Sequence, residues 1–324
     1  MKFLITGASG FIGQALCAEL VRQGHAVRAS TRSAHTFNKN IELVSPGSID
    51  GETDWTNALH GRDVVIHLAA RVHVMKETAV NPLHEFLKVN LHGTAHLAQQ
   101  ASRAGVKRLV YVSSIGVNRL VYKVHGEKTQ GSQRCSDLGT PAPQDPYAIS
   151  KWEAEQVLNN IARETGLEVV ILRPPLVYGP GAKGNFILLM KALAKGIPLP
   201  LASMHNRRSL IYVGNLVDAL INCALHPSAA GQTYLVSDGE DISTADLLRR
   251  LAAAMGKPAR LFPCPVAILK LVGRIAGRTS QIERLLNSLQ VDSDKMRRDL
   301  NWRPPYSLQQ GLQTTADWYL NTHL

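Results

Sequence analysis

Short stretches of consecutive apolar residues recur through the first half of the chain. Phe3 to Thr6, Ala26 to Ser30, Ile41 to Ser45, Asp63 to Ala69 (DVVIHLA) and Lys107 to Ser113 (KRLVYVS) have the length and content of strands, the fourth that of one buried on both faces. Between them the apolar spacing changes to that of a helix. Phe11, Ile12, Ala15, Leu16, Leu20 and Val21 form one stripe, closed by Gly24. Leu83, Phe86, Leu87, Leu91, Ala95, Leu97 and Ala98 form another, predicting a long helix from Asn81 to Ala104 that ends at Gly105. A third helix opens at Pro146 and runs to about Thr165. Strands alternating with helices predict an α/β fold, a Rossmann doubly wound parallel sheet with helices on both faces.

The later chain carries weaker signals. Arg119 to Asp145 is polar and rich in Gly, Pro and Ser, too long for an ordinary connection, and reads as a substrate loop. Thr233 to Ser237 reads as a strand, and Thr244 to Met255 and Leu308 to Leu320 as helices. Pro265 to Ala276 (PVAILKLVGRIA) is apolar with two basic residues; its shortness favours a core-packing helix over membrane docking. The expected division is a cofactor domain over 1–173, to which some later segments return, and a mainly substrate-binding part over 174–324.

Composition narrows the classes. At 324 residues and 45% hydrophobic the chain buries a large core, with no apolar run near the ~20 residues of a membrane span. The N-terminus enters a strand at once, so no signal peptide is expected, and the expected location is cytoplasmic. Cys17, Cys135, Cys223 and Cys264 are scattered without a CxxC, which fits a reduced compartment and no metal site. The net charge of +11 is spread out and lacks aromatic interleaving, so no nucleic-acid partner is expected; a mild preference for anionic small molecules, or a merely basic protein, accounts for the charge.

Candidate chemistry begins at Gly7, Gly10 and Gly13, between the first strand and the first helix. Gly7 permits a sharp turn, Gly10 lets backbone approach a pyrophosphate, and Gly13 lets helix and strand pack closely; the helix N-terminus attracts the negative charge. The second strand ends in Thr31-Arg32, where NAD sites carry an acid, and an arginine there meets the 2′-phosphate of NADP. NADP is therefore the expected cofactor, with NAD the alternative. Ser48-Ile49 follows the third strand where an adenine would lie, and Ala69-Ala70-Arg71 ends the fourth with room for a cofactor. His67 reads as a core residue. Asn90 interrupts an apolar stripe, so it is either a satisfied buried amide or part of a site. Tyr147 and Lys151, four apart at the start of a helix, share one face; an ammonium beside a phenol lowers its pKa and prepares it to pass a proton.

Thr6-Gly-Ala-Ser-Gly-Phe-Ile-Gly13, Asn90, Ser114 and Tyr147-xxx-Lys151 together resemble the extended short-chain dehydrogenase/reductases. Arg173-Pro-Pro-Leu-Val-Tyr-Gly-Pro180, Arg208-Ser-Leu-Ile-Tyr-Val213, Asp292-Ser-Asp-Lys295 and Leu300-Asn-Trp302 resemble their nucleotide-sugar epimerase/dehydratase branch. The resemblance implies Tyr147 as acid/base, Lys151 as the holder of the nicotinamide ribose, and Ser114 as hydrogen-bond partner of the reacting sugar oxygen. It extends the cofactor pocket to Ser9, Phe11, Ile12, Leu68, Asn90, Ser113, Pro174 and Leu176. It assigns the substrate diphosphate to Asn185 and Arg208, with Arg278 or Arg284 as a further contact, and implies a homodimer. Ser114 is followed by Ile115-Gly116 instead of the Asp-Glu pair of the 4,6-dehydratases, which argues against dehydration. The expected activity is reduction at C4 of a UDP-4-keto-6-deoxy-(N-acetyl)hexose for surface polysaccharide. A UDP-hexose or UDP-N-acetylhexosamine 4-epimerase is the alternative, and a non-catalytic cofactor sensor a remote one.

Overall fold

The computed structural model describes residues 1–32, 37–72, 79–118, 135, 141–275, 277, 282 and 285–323. Seven parallel strands form the main sheet: β1 (Lys2–Thr6), β2 (Ala26–Ser30), β3 (Ile41–Val44), β4 (Val64–His67), β5 (Arg108–Val112), β6 (Glu168–Arg173) and, from late in the chain, β9 (Thr233–Leu235), in the order β3-β2-β1-β4-β5-β6-β9. A small sheet joins β7 (Leu176–Tyr178), β8 (Arg208–Tyr212) and β10 (Asp241–Ile242), with β8 central.

Successive residues of each main-sheet strand serve opposite faces, as a period of two requires. Phe3, Ile5, Val64, Ile66, Val110, Val112, Val170 and Leu172 share one core with Leu16 and Leu20 of α1 (Phe11–Arg22) and Leu216 and Leu220 of α7 (Val213–Leu225). Leu4, Val65, Leu109, Tyr111, Val169 and Ile171 share the other with Leu97 and Ala101 of α4 (Thr94–Arg103) and Leu158 and Ile161 of α5 (Pro146–Thr165). Apolar burial on both faces explains why these strands read as unbroken apolar runs. The order of connection reverses between β1 and β4. Open parallel sheets leave a crevice at the carboxyl ends of the strands at such a point.

The helix expected from Asn81 to Ala104 is one continuous helical run of three parts: α3 (Pro82–Leu87), a wide π turn (Lys88–Gly93) and α4. α5 starts where Asp145 caps it, its side chain accepting from the Ala148 amide at 2.8 Å, with Pro146 in the first turn. It stops at Gly166, whose φ of 75° is a left-handed conformation that costs glycine little. Pro265–Ala276 departs from expectation. The helix α9 (Val266–Ile275) forms, but only Leu269 and Gly273 of it are buried, so it is not a core helix. Its spacing is regular, but the apolar stripe points outward. Most of the expected substrate loop, Arg119 to Asp145, lies outside the described residues, as do Arg278 and Arg284.

Candidate active site

The turn between β1 and α1 lies against the tip of β4. Gly7 has φ +67°, and a Cβ there would lie 2.8 Å from the Ala69 nitrogen. A Cβ on Gly13 would lie 2.4 Å from the Gly7 oxygen, so α1 packs on the turn only because that atom is missing. Gly10 is the N-cap of α1; no side chain caps that end and no acid lies in its first turn. The amides of that turn are therefore available to an anion. The Ala69 amide donates to Thr6 Oγ1 at 3.2 Å, binding the two strand tips together. A dinucleotide fits this set: a close glycine turn, an uncapped helix start, and the small side chains of Ala69 and Ala70 beside them.

The other expected cofactor positions differ in exposure and contacts. Thr31 is buried and Arg32 exposed at the end of β2. Ser9, Phe11 and Ile12 are half-buried in and after the turn, and Leu68 packs against the core. Ser48 is exposed, its carbonyl accepting from Thr53, while Ile49 presses on Gly93 of the π turn, where a Cβ would lie 2.7 Å from Ile49 Cγ2. Pro174 accepts at its carbonyl from the Ile115 amide, and Leu176 is exposed on β7.

Asn90, at the widest part of the long helix, shows what the π turn does. Its amide accepts from the Arg71 nitrogen at 2.8 Å and donates to the Arg71 oxygen at 3.0 Å and to Ser150 Oγ at 2.9 Å. Ser150 in turn donates to the Tyr147 carbonyl. One buried, fully engaged amide therefore fastens the tip of β4 to the turn of α5 that carries Tyr147. His67 is a core residue, as expected, held by Thr6 at 2.6 Å and Thr94 at 3.0 Å. Burial, with Lys151 as a lesser cause, pulls its pKa down to about 3.

Tyr147 and Lys151 do share a face of α5. The Lys151 ammonium is buried, donates to the Val112 carbonyl at 2.8 Å, and lies 4.5 Å from the Tyr111 ring centre and 6.0 Å from that of Tyr147. Ser114, capping a short turn just past β5, borders the point beside Gly116 that Ala148 also borders. The electrostatics differ from expectation. Burial, followed by the Asp145 carboxylate, raises the Tyr147 phenol to about 12. Burial pulls Lys151 down to about 7 against the opposing pull of Glu155. Desolvation outweighs the cation in the protein alone, because the same low-dielectric pocket weakens the ammonium that was to lower the phenol.

Beneath this pair lies a network that sequence reasoning did not find. Ser113 Oγ donates to Glu155 Oε1 at 2.5 Å. Arg173 grips both Glu155 oxygens, at 2.9 and 2.5 Å, and donates to Asn118 Oδ1 at 3.1 Å. All four residues are buried. The available signal was Glu155 itself, an acid one turn beyond Lys151 on the inward face of α5. Of the expected diphosphate contacts, Asn185 is exposed as the first residue of α6 (Asn185–Ala194), one place beyond the capping Gly184. Arg208 begins β8, half-buried, opposite Ile242 of β10.

Residues 3–237 match the model of the NAD dependent epimerase/dehydratase family. A UDP-glucose 4-epimerase of Vibrio cholerae is 42% identical over 99% of this chain and 96% of its own. Among solved structures, MoeE5 in complex with UDP-glucuronic acid and NAD superposes with a TM-score of 0.79 at 24% identity, covering 99% of this chain and 100% of the other. A UDP-glucose 4-epimerase of Thermotoga maritima with UDP-glucose superposes at 0.77, 23% identical, with 99% of each chain covered.

Proposed function

The chain belongs to the NAD dependent epimerase/dehydratase family, and from that premise we propose that it is a UDP-sugar 4-epimerase. The observation that carries this over reduction of a keto sugar is the 42% identity, nearly end to end, to a protein named UDP-glucose 4-epimerase. The family's description also favours NAD, the alternative cofactor, over the NADP expected from Arg32.

NAD, when bound, supplies a hydride acceptor and a cationic ring. The chain's own residues do the rest. Tyr147 takes the proton of the C4 hydroxyl as that carbon is oxidised, and returns it when the other face of the ketone is reduced. Ser114 hydrogen-bonds the same oxygen. Lys151 holds the cofactor ribose, and the turn at Gly7, Gly10 and Gly13 holds the pyrophosphate. Asn185 and Arg208 bind the sugar-nucleotide diphosphate, a planar guanidinium suiting phosphate oxygens. Because the phenol rests protonated at neutral pH, base chemistry at Tyr147 depends on positive charge brought to it on binding.

A second reading, a reductase at C4 of a UDP-4-keto sugar, keeps one observation in its favour: Arg32, exposed where a ribose-binding acid would stand. One experiment separates the two. Purified protein is given UDP-glucose or UDP-N-acetylglucosamine, and products are resolved by NMR while reduced nicotinamide is followed by absorbance. Interconversion with the C4 epimer and no net change in cofactor is the expected result. Stoichiometric consumption of NADPH with a UDP-4-keto-6-deoxy sugar, and no epimerisation, would replace it with the reductase. Tyr147→Phe is expected to lower turnover about 10²–10⁴-fold, the range for loss of a positioned acid/base.

A further inference from the structure

The helix α9 has an outward stripe that nothing in the proposed reaction uses. Ile268, Leu271, Val272 and Ile275 are 51%, 57%, 55% and 80% exposed. They stand at i, i+3, i+4 and i+7, so they form one continuous apolar band roughly 100° wide. Single exposed apolar side chains are ordinary on protein surfaces, but a contiguous band of four is not. Phe262, also exposed, precedes the helix.

The sequence that carries this band, from residue 247 to residue 282, holds charge of one sign. Lys270 and Arg274 are both exposed, one turn apart on the same helix. From residue 247 to residue 282 the sequence contains no Asp or Glu, while Lys257, Arg260, Lys270 and Arg274 punctuate it, within a chain of net charge +11. Arg249 and Arg250, at the start of that stretch, are paired with Asp246 and Glu240 and so contribute little. Arg274 lies about 60° round the helix from the Leu271 edge of the band, and Lys270 lies further round on the polar face. An apolar band on a short helix whose polar face is basic and free of acids matches the composition of helices that lie in the plane of an anionic bilayer surface. The helix has 10 residues, half of what a span requires, and among the described residues no helix is long and apolar enough to cross a membrane.

We infer that α9 is a peripheral docking site for a bilayer rich in anionic phospholipid. Leu271, Ile275, Ile268 and Val272 enter the boundary between headgroups and acyl chains, Arg274 beside the band meets the lipid phosphates, and Lys270 adds positive charge from the polar face. The helix remains tied to the protein through Leu269 and Gly273. The inference does not depend on the epimerase reading.

The test is co-sedimentation of the full-length protein with vesicles of phosphatidylcholine containing roughly one-third phosphatidylglycerol, and with vesicles of phosphatidylcholine alone. Binding to the anionic vesicles that weakens as salt is raised is expected. The double substitution Leu271→Glu/Ile275→Glu should weaken it by about tenfold or more, with turnover of soluble UDP-sugar and melting temperature unchanged. Lys270→Glu/Arg274→Glu should reduce the preference for anionic over neutral vesicles. The inference fails if the parent protein stays in the supernatant with both vesicle types, or if the Leu271/Ile275 variant binds as the parent does. It also fails if sedimentation without lipid shows an oligomer that this variant dissolves, because the band then belongs to a second copy of the chain.

Discussion

Removing one partner of the Glu155–Arg173 pair should destabilise the protein far more than removing both. Each side chain is almost completely buried, and the pair meets at 2.9 and 2.5 Å. Arg173→Met leaves the Glu155 carboxylate with Ser113 as its remaining hydrogen-bond donor. Glu155→Leu leaves a buried guanidinium held by the Asn118 oxygen. An uncompensated buried charge costs about 3–5 kcal/mol. In a chain of this size, at about 2 °C per kcal/mol, each single variant should melt about 6–10 °C below the parent. The double variant Glu155→Leu/Arg173→Met removes both charges. It leaves the Ser113 hydroxyl without its Glu155 acceptor, at about 1–3 kcal/mol. Urea denaturation of all four proteins should give a coupling of at least about 2 kcal/mol. Single losses that simply add in the double variant would refute the pair as a mutually dependent buried unit. Glu155→Gln carries a second readout. Glu155 is the group that opposes the effect of burial on Lys151, so its neutralisation should move the alkaline fall in activity to lower pH.

His67 gives a pH prediction. Its folded pKa of about 3 lies below the ordinary 6.5, so the unfolded chain takes up the proton first. The stability this provides is full above about pH 6.5 and is lost as pH falls towards 3, at up to about 1.4 kcal/mol per unit. Urea midpoints at pH 7 and pH 5 should differ accordingly, and His67→Gln should flatten the difference; an unchanged slope would acquit His67. Gly13→Ala puts a methyl group against backbone that cannot yield, 2.4 Å from the Gly7 oxygen. It should cost about 1–3 kcal/mol and weaken NAD binding about tenfold, read by titration of intrinsic fluorescence, and parent-like affinity would contradict the close-packed turn.

What could be read in advance was whatever repeats or stands close in sequence. β1, its glycine turn and α1 occupy adjacent residues, and Tyr147 and Lys151 are one helical turn apart. Strands buried on two faces announce themselves by composition. The rest needed contacts between distant positions. Arg173 reaches Glu155 across 18 residues and Asn118 across 55, and no local pattern links them. Asn90 stood out as an interruption, yet its partners Arg71 and Ser150 lie 19 and 60 residues away. The direction of the Tyr147 shift could not be foreseen, because proximity to a cation was visible and depth of burial was not. α9 failed for a related reason: periodicity shows that an apolar stripe exists, and only the neighbouring elements decide whether it faces inward.

The late arrival of β9 has a consequence for synthesis. It pairs with β6 through Ile171–Thr233, Leu172–Tyr234 and Arg173–Leu235. Arg108 at the start of β5 donates to the carbonyls of Cys223, Ala224 and His226, at and just past the end of α7. A ribosome that has released only the first six strands therefore holds a nascent chain with β6 as a bare edge, ready to pair with any passing strand. The main sheet cannot be completed until Leu235 has cleared the exit tunnel, so a cut near Arg173 should yield aggregate instead of an isolated domain.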